Sequence, residues 1–140
     1  MTTALDTNII VALLKTDDTL NRVAQTAMEQ AQQQGALVIC GAVYAELLAM
    51  PGRTEAFVDR FCEDTHIAVE WDLREKIWRE AGKAFQAYAA RRRRNHGTEP
   101  RRLLGDFLIG AHAAVNGYRL LTLDTGIFRS SFPRLRIETV

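Results

Sequence analysis

Short apolar runs alternate with longer stretches of helical periodicity along this sequence, and that alternation limits the fold more than any other feature. It is the pattern of a parallel sheet covered by helices, an α/β fold. Strands are expected near Thr3–Asp6, Leu37–Cys40, Ile67–Val69, Arg119–Asp124 and Arg134–Glu138. Between them, Leu20, Val23, Ala24, Ala27, Met28 and Ala31 mark an amphipathic helix with Gly35 as its stop. Leu73, Ile77, Ala81, Ala84, Phe85 and Tyr88 mark a second, which runs into Arg91–Arg94. NHGTEP then breaks the chain: Gly97 suits a left-handed stop, and Thr98 or Glu99 can cap a new helix starting at or beside Arg101. That helix, RRLLGDFLIGAHAAVNG, is apolar almost all round and should be buried on several sides.

No repeat or linker interrupts the pattern, and 140 residues suit one domain spanning 1–140. Cys40 and Cys62 are too few for a disulfide framework and stand in no metal-ligand spacing, so two buried thiols in a reducing cytoplasm are expected, without zinc. MTTALDTNII lacks a basic leader and is interrupted by Asp6 and Asn8, so neither a signal peptide nor a membrane span is expected. The net charge is +1, yet residues 91–102 hold six arginines against Glu99 alone, a local +5 that leaves −4 elsewhere. Four consecutive arginines fan around a helix, so Arg91–Arg94 are expected to stay mainly solvated and to complement the negative helix C-terminus.

Four acidic residues stand in apolar settings. Asp6 follows the first strand and precedes IIVALL, where it, Thr7 or Asn8 can cap a helix. Glu46 interrupts the apolar stripe of AVYAELLAM. Asp106 shares its helical face with Ile109, Gly110 and Ala113, and Arg102, one turn earlier, can pair with it. Asp124 ends the strand RLLTLD. In a doubly wound sheet, sites form beyond the carboxyl ends of the strands where their order reverses, and right-handed crossovers bring the helices bearing Glu46 and Asp106 to that side. Four converging carboxylates raise one another's pKa and need a cation to stay ionised. Oxygen ligands select Mg²⁺ or Mn²⁺, which can activate water against a phosphodiester.

With LDTN at 5–8, the glutamate of AELL, DFLIGAHA at 106–113 and LLTLDTGIFRSSFPRL at 120–135, the sequence resembles the PIN-domain ribonucleases, and among them the VapC-type toxins of bacterial toxin–antitoxin pairs. The resemblance implies a three-layer α/β/α sandwich with strand order 3-2-1-4-5 and a Mg²⁺- or Mn²⁺-dependent endoribonuclease site. It further implies Asp6 and Asp106 as principal metal ligands, Glu46 as a water-bridged ligand or base, and Asp124 as the fourth acid. Thr7, Asn8 and Thr122 are implied as supporting polar groups. A homodimer and a small antitoxin covering the acidic groove are implied as partners.

Arg101 and Arg102, at the start of the helix that carries Asp106, are expected to hold a substrate phosphate or temper the acids. His112 is expected to be structural, and Trp78, Phe85 and Tyr88 to pack in the core. A P-loop is excluded because no glycine spacing with a following Lys-Ser/Thr occurs. Two other functions remain compatible with the residues. One is a non-catalytic RNA-binding module. The other is a haloacid-dehalogenase-like phosphatase, whose D-x-D-x-T pattern is broken here by Asn8.

Overall fold

The computed structural model describes residues 1–17 and 19–140. Five strands, β1 (Thr3–Leu5), β2 (Leu37–Cys40), β3 (Ile67–Glu70), β4 (Arg119–Thr122) and β5 (Arg136–Thr139), form one sheet in the order β3-β2-β1-β4-β5. Every pairing is parallel, with Ala4 opposite both Val38 and Leu120 in the central register. Seven helices lie among the described residues: α1 (Thr7–Leu14), α2 (Asn21–Gln34), α3 (Gly41–Leu48), α4 (Glu55–Asp64), α5 (Glu75–Arg94), α6 (Leu104–Asn116) and α7 (Gly126–Ser131). The chain builds outward from β1 to β3, then returns past β1 to β4 and β5. Right-handed crossovers in the two directions put helices on both faces, which makes the three-layer sandwich.

β1, β2 and most of β4 are buried because helices cover them from both sides. Leu5, Ile39, Ile9, Ile10, Leu47, Ile77, Phe107, Ile109 and Leu120 form the heart of the core, each at most 2% exposed. α6 is the most enclosed helix: every residue from Phe107 to Ala113 is buried. Phe107 stacks on Phe85 at 4.8 Å between ring centroids, fastening α6 to α5. β5 is the exposed edge.

Several local expectations are corrected. α6 begins at Leu104, not beside Arg101, and neither Thr98 nor Glu99 caps it. Its N-cap position, Leu103, makes no side-chain cap bond, and residues 100–103 precede the helix. Their course is fixed instead by Tyr88, whose hydroxyl donates to the Pro100 carbonyl at 2.5 Å and accepts from the Arg102 amide at 2.8 Å. Gly97 does take the left-handed conformation, with φ 74°, directly after His96 at φ 54°.

α4, capped by Thr54 through the Phe57 amide, and the short α7 lie outside the sequence expectations. Phe85 is half-buried and Tyr88 buried, but Trp78 is 48% exposed, because it follows Ile77 by one position and turns away from the packed face. Cys40 and Cys62 are free and buried. Among the described residues, no helix is long and apolar enough to cross a membrane.

Candidate active site

The strand order reverses between β1 and β4, and the residues following these two strands meet at their carboxyl ends. Asp6 caps α1: its Oδ1 accepts from the Thr7 amide at 2.7 Å. Its Oδ2 accepts from the Thr122 hydroxyl at 2.7 Å, so one carboxylate both caps a helix and ties β1 to β4. Asn8 strengthens the same seam, accepting from the Leu123 amide at 3.2 Å and donating to the Thr122 hydroxyl oxygen at 3.4 Å. The Thr7 hydroxyl donates to Glu46 Oε1 at 2.5 Å and so orients the α3 glutamate. Thr7, Asn8 and Thr122 each bond differently to the groups around Asp6, Glu46 and the end of β4.

Asp6, Glu46, Asp106 and Asp124 line one cavity of about 460 Å³, together with Thr7, Asn8, Leu123, Arg102 and neighbouring apolar side chains. The acids converge on one cleft but not on one point. Among the described residues, no three Asp, Glu, His or Cys side chains are gathered closely enough to cage an ion by themselves. Three acids are instead held by protein donors: Asp6 by Thr7 and Thr122, Glu46 by Thr7, and Asp124 by Arg102, whose Nη1 donates to Asp124 Oδ2 at 2.6 Å. In the sequence Arg102 stands one turn before Asp106, where it can pair with it. Because α6 starts two residues later, the helical spacing that would align them does not exist, and Arg102 reaches across to the end of β4.

Burial is the main cause that pushes the Asp6 carboxyl from the usual 3.8 up to about 6; the Thr122 and Thr7 hydrogen bonds oppose it, and the Asp106 and Glu46 carboxylates add to it. Asp106 is also pushed up, first by burial and then by Asp124, against the Leu103 backbone and Arg102. An acidic pair that resists ionisation while exposing oxygen donors fits a hard divalent cation. Mg²⁺ characteristically uses one or two carboxylates and keeps several waters, so Asp6 and Asp106 would be able to hold such an ion in this cleft.

One contributor escaped the sequence analysis. A Cβ at Gly105 would lie 2.9 Å from Glu46 Oε2, so the missing side chain is what lets α6 approach the glutamate. The available signal was a glycine inside a helix, beside Asp106, where it costs about 1 kcal/mol relative to alanine. His112 is not at the cleft. It is buried, with Nε2 2.8 Å from Glu70 Oε1, while the Tyr118 hydroxyl donates to Glu70 Oε2 at 2.9 Å, in keeping with a structural role. Arg101 does not line the acidic cleft and instead lines a neighbouring pocket.

Comparison with known proteins supports this architecture. The fold is similar to Rickettsia felis VapBC2 solved with a DNA fragment from its promoter (TM-score 0.72, 20% identity, covering 99% of this chain and 98% of that one). It is also similar to VapBC-1 from nontypeable Haemophilus influenzae (0.68, 23%, 99% and 98%) and to a toxin–antitoxin complex from Klebsiella pneumoniae (0.64, 19%, 90% and 89%). At these identities the likeness is one of fold. No curated protein sequence matches the chain. Residues 3–132, from the first buried strand to the end of α7, match the PIN domain, and with the sheet order and nearly full-length match in agreement, the chain belongs to the PIN domain family.

Proposed function

We propose that this protein is a Mg²⁺- or Mn²⁺-dependent endoribonuclease acting as the toxin of a toxin–antitoxin pair. The observation that carries the reading is the shared cleft of Asp6, Glu46, Asp106 and Asp124 at the reversal of the strand order, in a PIN domain. Asp6 and Asp106 would hold the ion, which when bound would supply stabilisation of phosphoryl charge and a lowered pKa for an attacking water. Glu46, fixed by Thr7, accepts the proton of that water, and Asp124, held by Arg102, completes the acidic wall. The fold's likeness to proteins solved as VapBC and toxin–antitoxin complexes supports a small antitoxin partner, and an arginine from it can neutralise the cleft. The protein works in the cytoplasm, as a homodimer.

The test is cleavage of total RNA by purified protein with Mn²⁺ or Mg²⁺, alongside growth after induction. Asp6→Asn and Asp106→Asn each abolish both effects; full activity in either variant would overturn the assignment.

A further inference from the structure

Beside the acidic cleft lies a pocket of about 330 Å³ with the opposite charge, lined by Arg92, Arg93, Arg101, Arg102, Phe85 and Tyr88. The sequence gives no sign of it, because Arg91–Arg94 fan around the helix and Arg101 and Arg102 lie beyond a break. The turn at His96 and Gly97 reverses the chain, and the Tyr88 hydroxyl then pins the backbone at Pro100 and Arg102 against α5. Arg92 Nε donates to the Glu99 carbonyl at 3.4 Å, closing the same loop. Arg101 and Arg102 thereby return to the helix face that presents Arg92 and Arg93. Arg91 is excluded: it lies 3.9 Å from Glu99 and over the Tyr88 ring, on the other side of the clamp.

No acidic side chain lines the pocket, and Arg93 and Arg101 have no ion-pair partner among the described residues. Arg102 is paired with Asp124, but Arg92, Arg93 and Arg101 are gathered without counter-charge, which makes them repel one another and favour an anion, and their planar donors match phosphate oxygens. The floor is aromatic and rigid, since Phe85 is stacked on Phe107. The volume exceeds what a phosphate alone requires. Arg102 belongs to both walls: it lines the acidic cleft and the basic pocket alike.

We infer that this pocket is a nucleotide subsite, holding a phosphate and its attached base from the single-stranded RNA whose scissile link lies in the acidic cleft. The inference rests on the nuclease reading for its choice of polymer. The arginines grip the backbone, the aromatic floor carries the base without selecting its identity, and Arg102 sets the step between bound phosphate and cleaved bond.

The test measures anisotropy of a short fluorescein-labelled single-stranded RNA in EDTA across a salt series, with cleavage in Mn²⁺ measured separately. Arg93→Gln/Arg101→Gln weakens binding by about ten-fold or more and flattens the log K against log salt slope by about 0.7, the contribution of the one phosphate that the pocket holds. Arg60→Gln/Arg136→Gln, which removes the same charge from exposed positions elsewhere, changes affinity by about two-fold at most and leaves the slope nearly unchanged. Equal losses in the two double variants would reduce the pocket to bulk charge and overturn the subsite. So would a poly-glutamate peptide that binds with the same Arg93 and Arg101 dependence while RNA does not, since the pocket would then dock protein. Cleavage that persists with unchanged RNA affinity in Arg93→Gln/Arg101→Gln removes the subsite and spares the nuclease. Binding that depends on the pocket, with no cleavage in any divalent ion, spares the subsite and removes the nuclease.

Discussion

Replacing Asp6 by asparagine should stabilise the metal-free protein at alkaline pH while destroying its response to metal. The Asp6 carboxyl is raised from 3.8 to about 6, chiefly by burial, so its protonated form is favoured in the fold. The stabilisation that this group gives is fully present below pH 3.8 and is lost as pH rises through about 6. Above that, the ionised buried carboxylate costs roughly 3 kcal/mol against its state in the unfolded chain. Asparagine removes the titration but not without loss. Its oxygen can keep the Thr7 amide, whereas its amide faces a Thr122 hydroxyl that already accepts from the Asp124 amide at 3.0 Å. Losing that second bond costs about 1 kcal/mol.

The net expectation is a gain of about 2 kcal/mol for Asp6→Asn at pH 8 in EDTA, or roughly 6 °C in Tm for a domain of this size. At pH 4 the variant should instead be less stable by about 0.5 kcal/mol, with the two curves crossing between roughly pH 4 and 5. Saturating Mn²⁺ should reverse the order at pH 8, because the wild type gains about 2.7 kcal/mol at a hundred-fold excess over Kd and the variant gains none. Thermal melts of both proteins at several pH values, with and without Mn²⁺, measure all three. A variant less stable than wild type at pH 8 in EDTA, or a difference that does not vary with pH, would refute the reasoning.

Three further outcomes follow from the same contacts. Thr122→Val removes the hydroxyl that opposes the rise of the Asp6 carboxyl, so the carboxyl should titrate above its present value of about 6; calorimetric Mn²⁺ affinity should fall most at pH 6 and recover towards pH 8. Gly105→Ala puts a methyl 2.9 Å from Glu46 Oε2 and must displace the carboxylate from Thr7; RNA cleavage should fall by about ten-fold or more while Tm changes by only a few degrees, the helix gaining about 1 kcal/mol of propensity against the clash. Tyr88→Phe deletes both hydrogen bonds that pin Pro100 and Arg102, so stability should drop by about 1–2 kcal/mol and hydrogen exchange across 98–103 should accelerate.

Much of the architecture is legible in the amino-acid order, because the parallel sheet writes itself as separated apolar runs. β2 occupies the expected Leu37–Cys40, and the other strands differ from expectation by one or two residues at an end. Those ends shift because a strand stops where its ladder partner does, which a single segment does not encode; β4 ends at Thr122 opposite Thr139, leaving Leu123 and Asp124 to turn into the cleft. Asp6 and Asp106 were conspicuous because a carboxylate on an apolar face carries its cost locally. Gly105 was less so, since its purpose lies in a glutamate nearly sixty positions away.

Sequence alone thus determined the alternation of strands and helices, the buried course of the Asp106 helix and the identity of the four acids that share the cleft. Periodicity and the cost of burying charge are local properties, readable along the chain. Only the tertiary structure decided that Arg102 meets Asp124 and not Asp106, and that Arg92, Arg93 and Arg101 gather in one pocket while Arg91 turns to Glu99. The physical reason is that a long flexible side chain finds its partner through the path of the backbone around it. Here that path is set by a left-handed turn at 96–97 and by one tyrosine hydroxyl, which join two arginine clusters that the sequence holds apart.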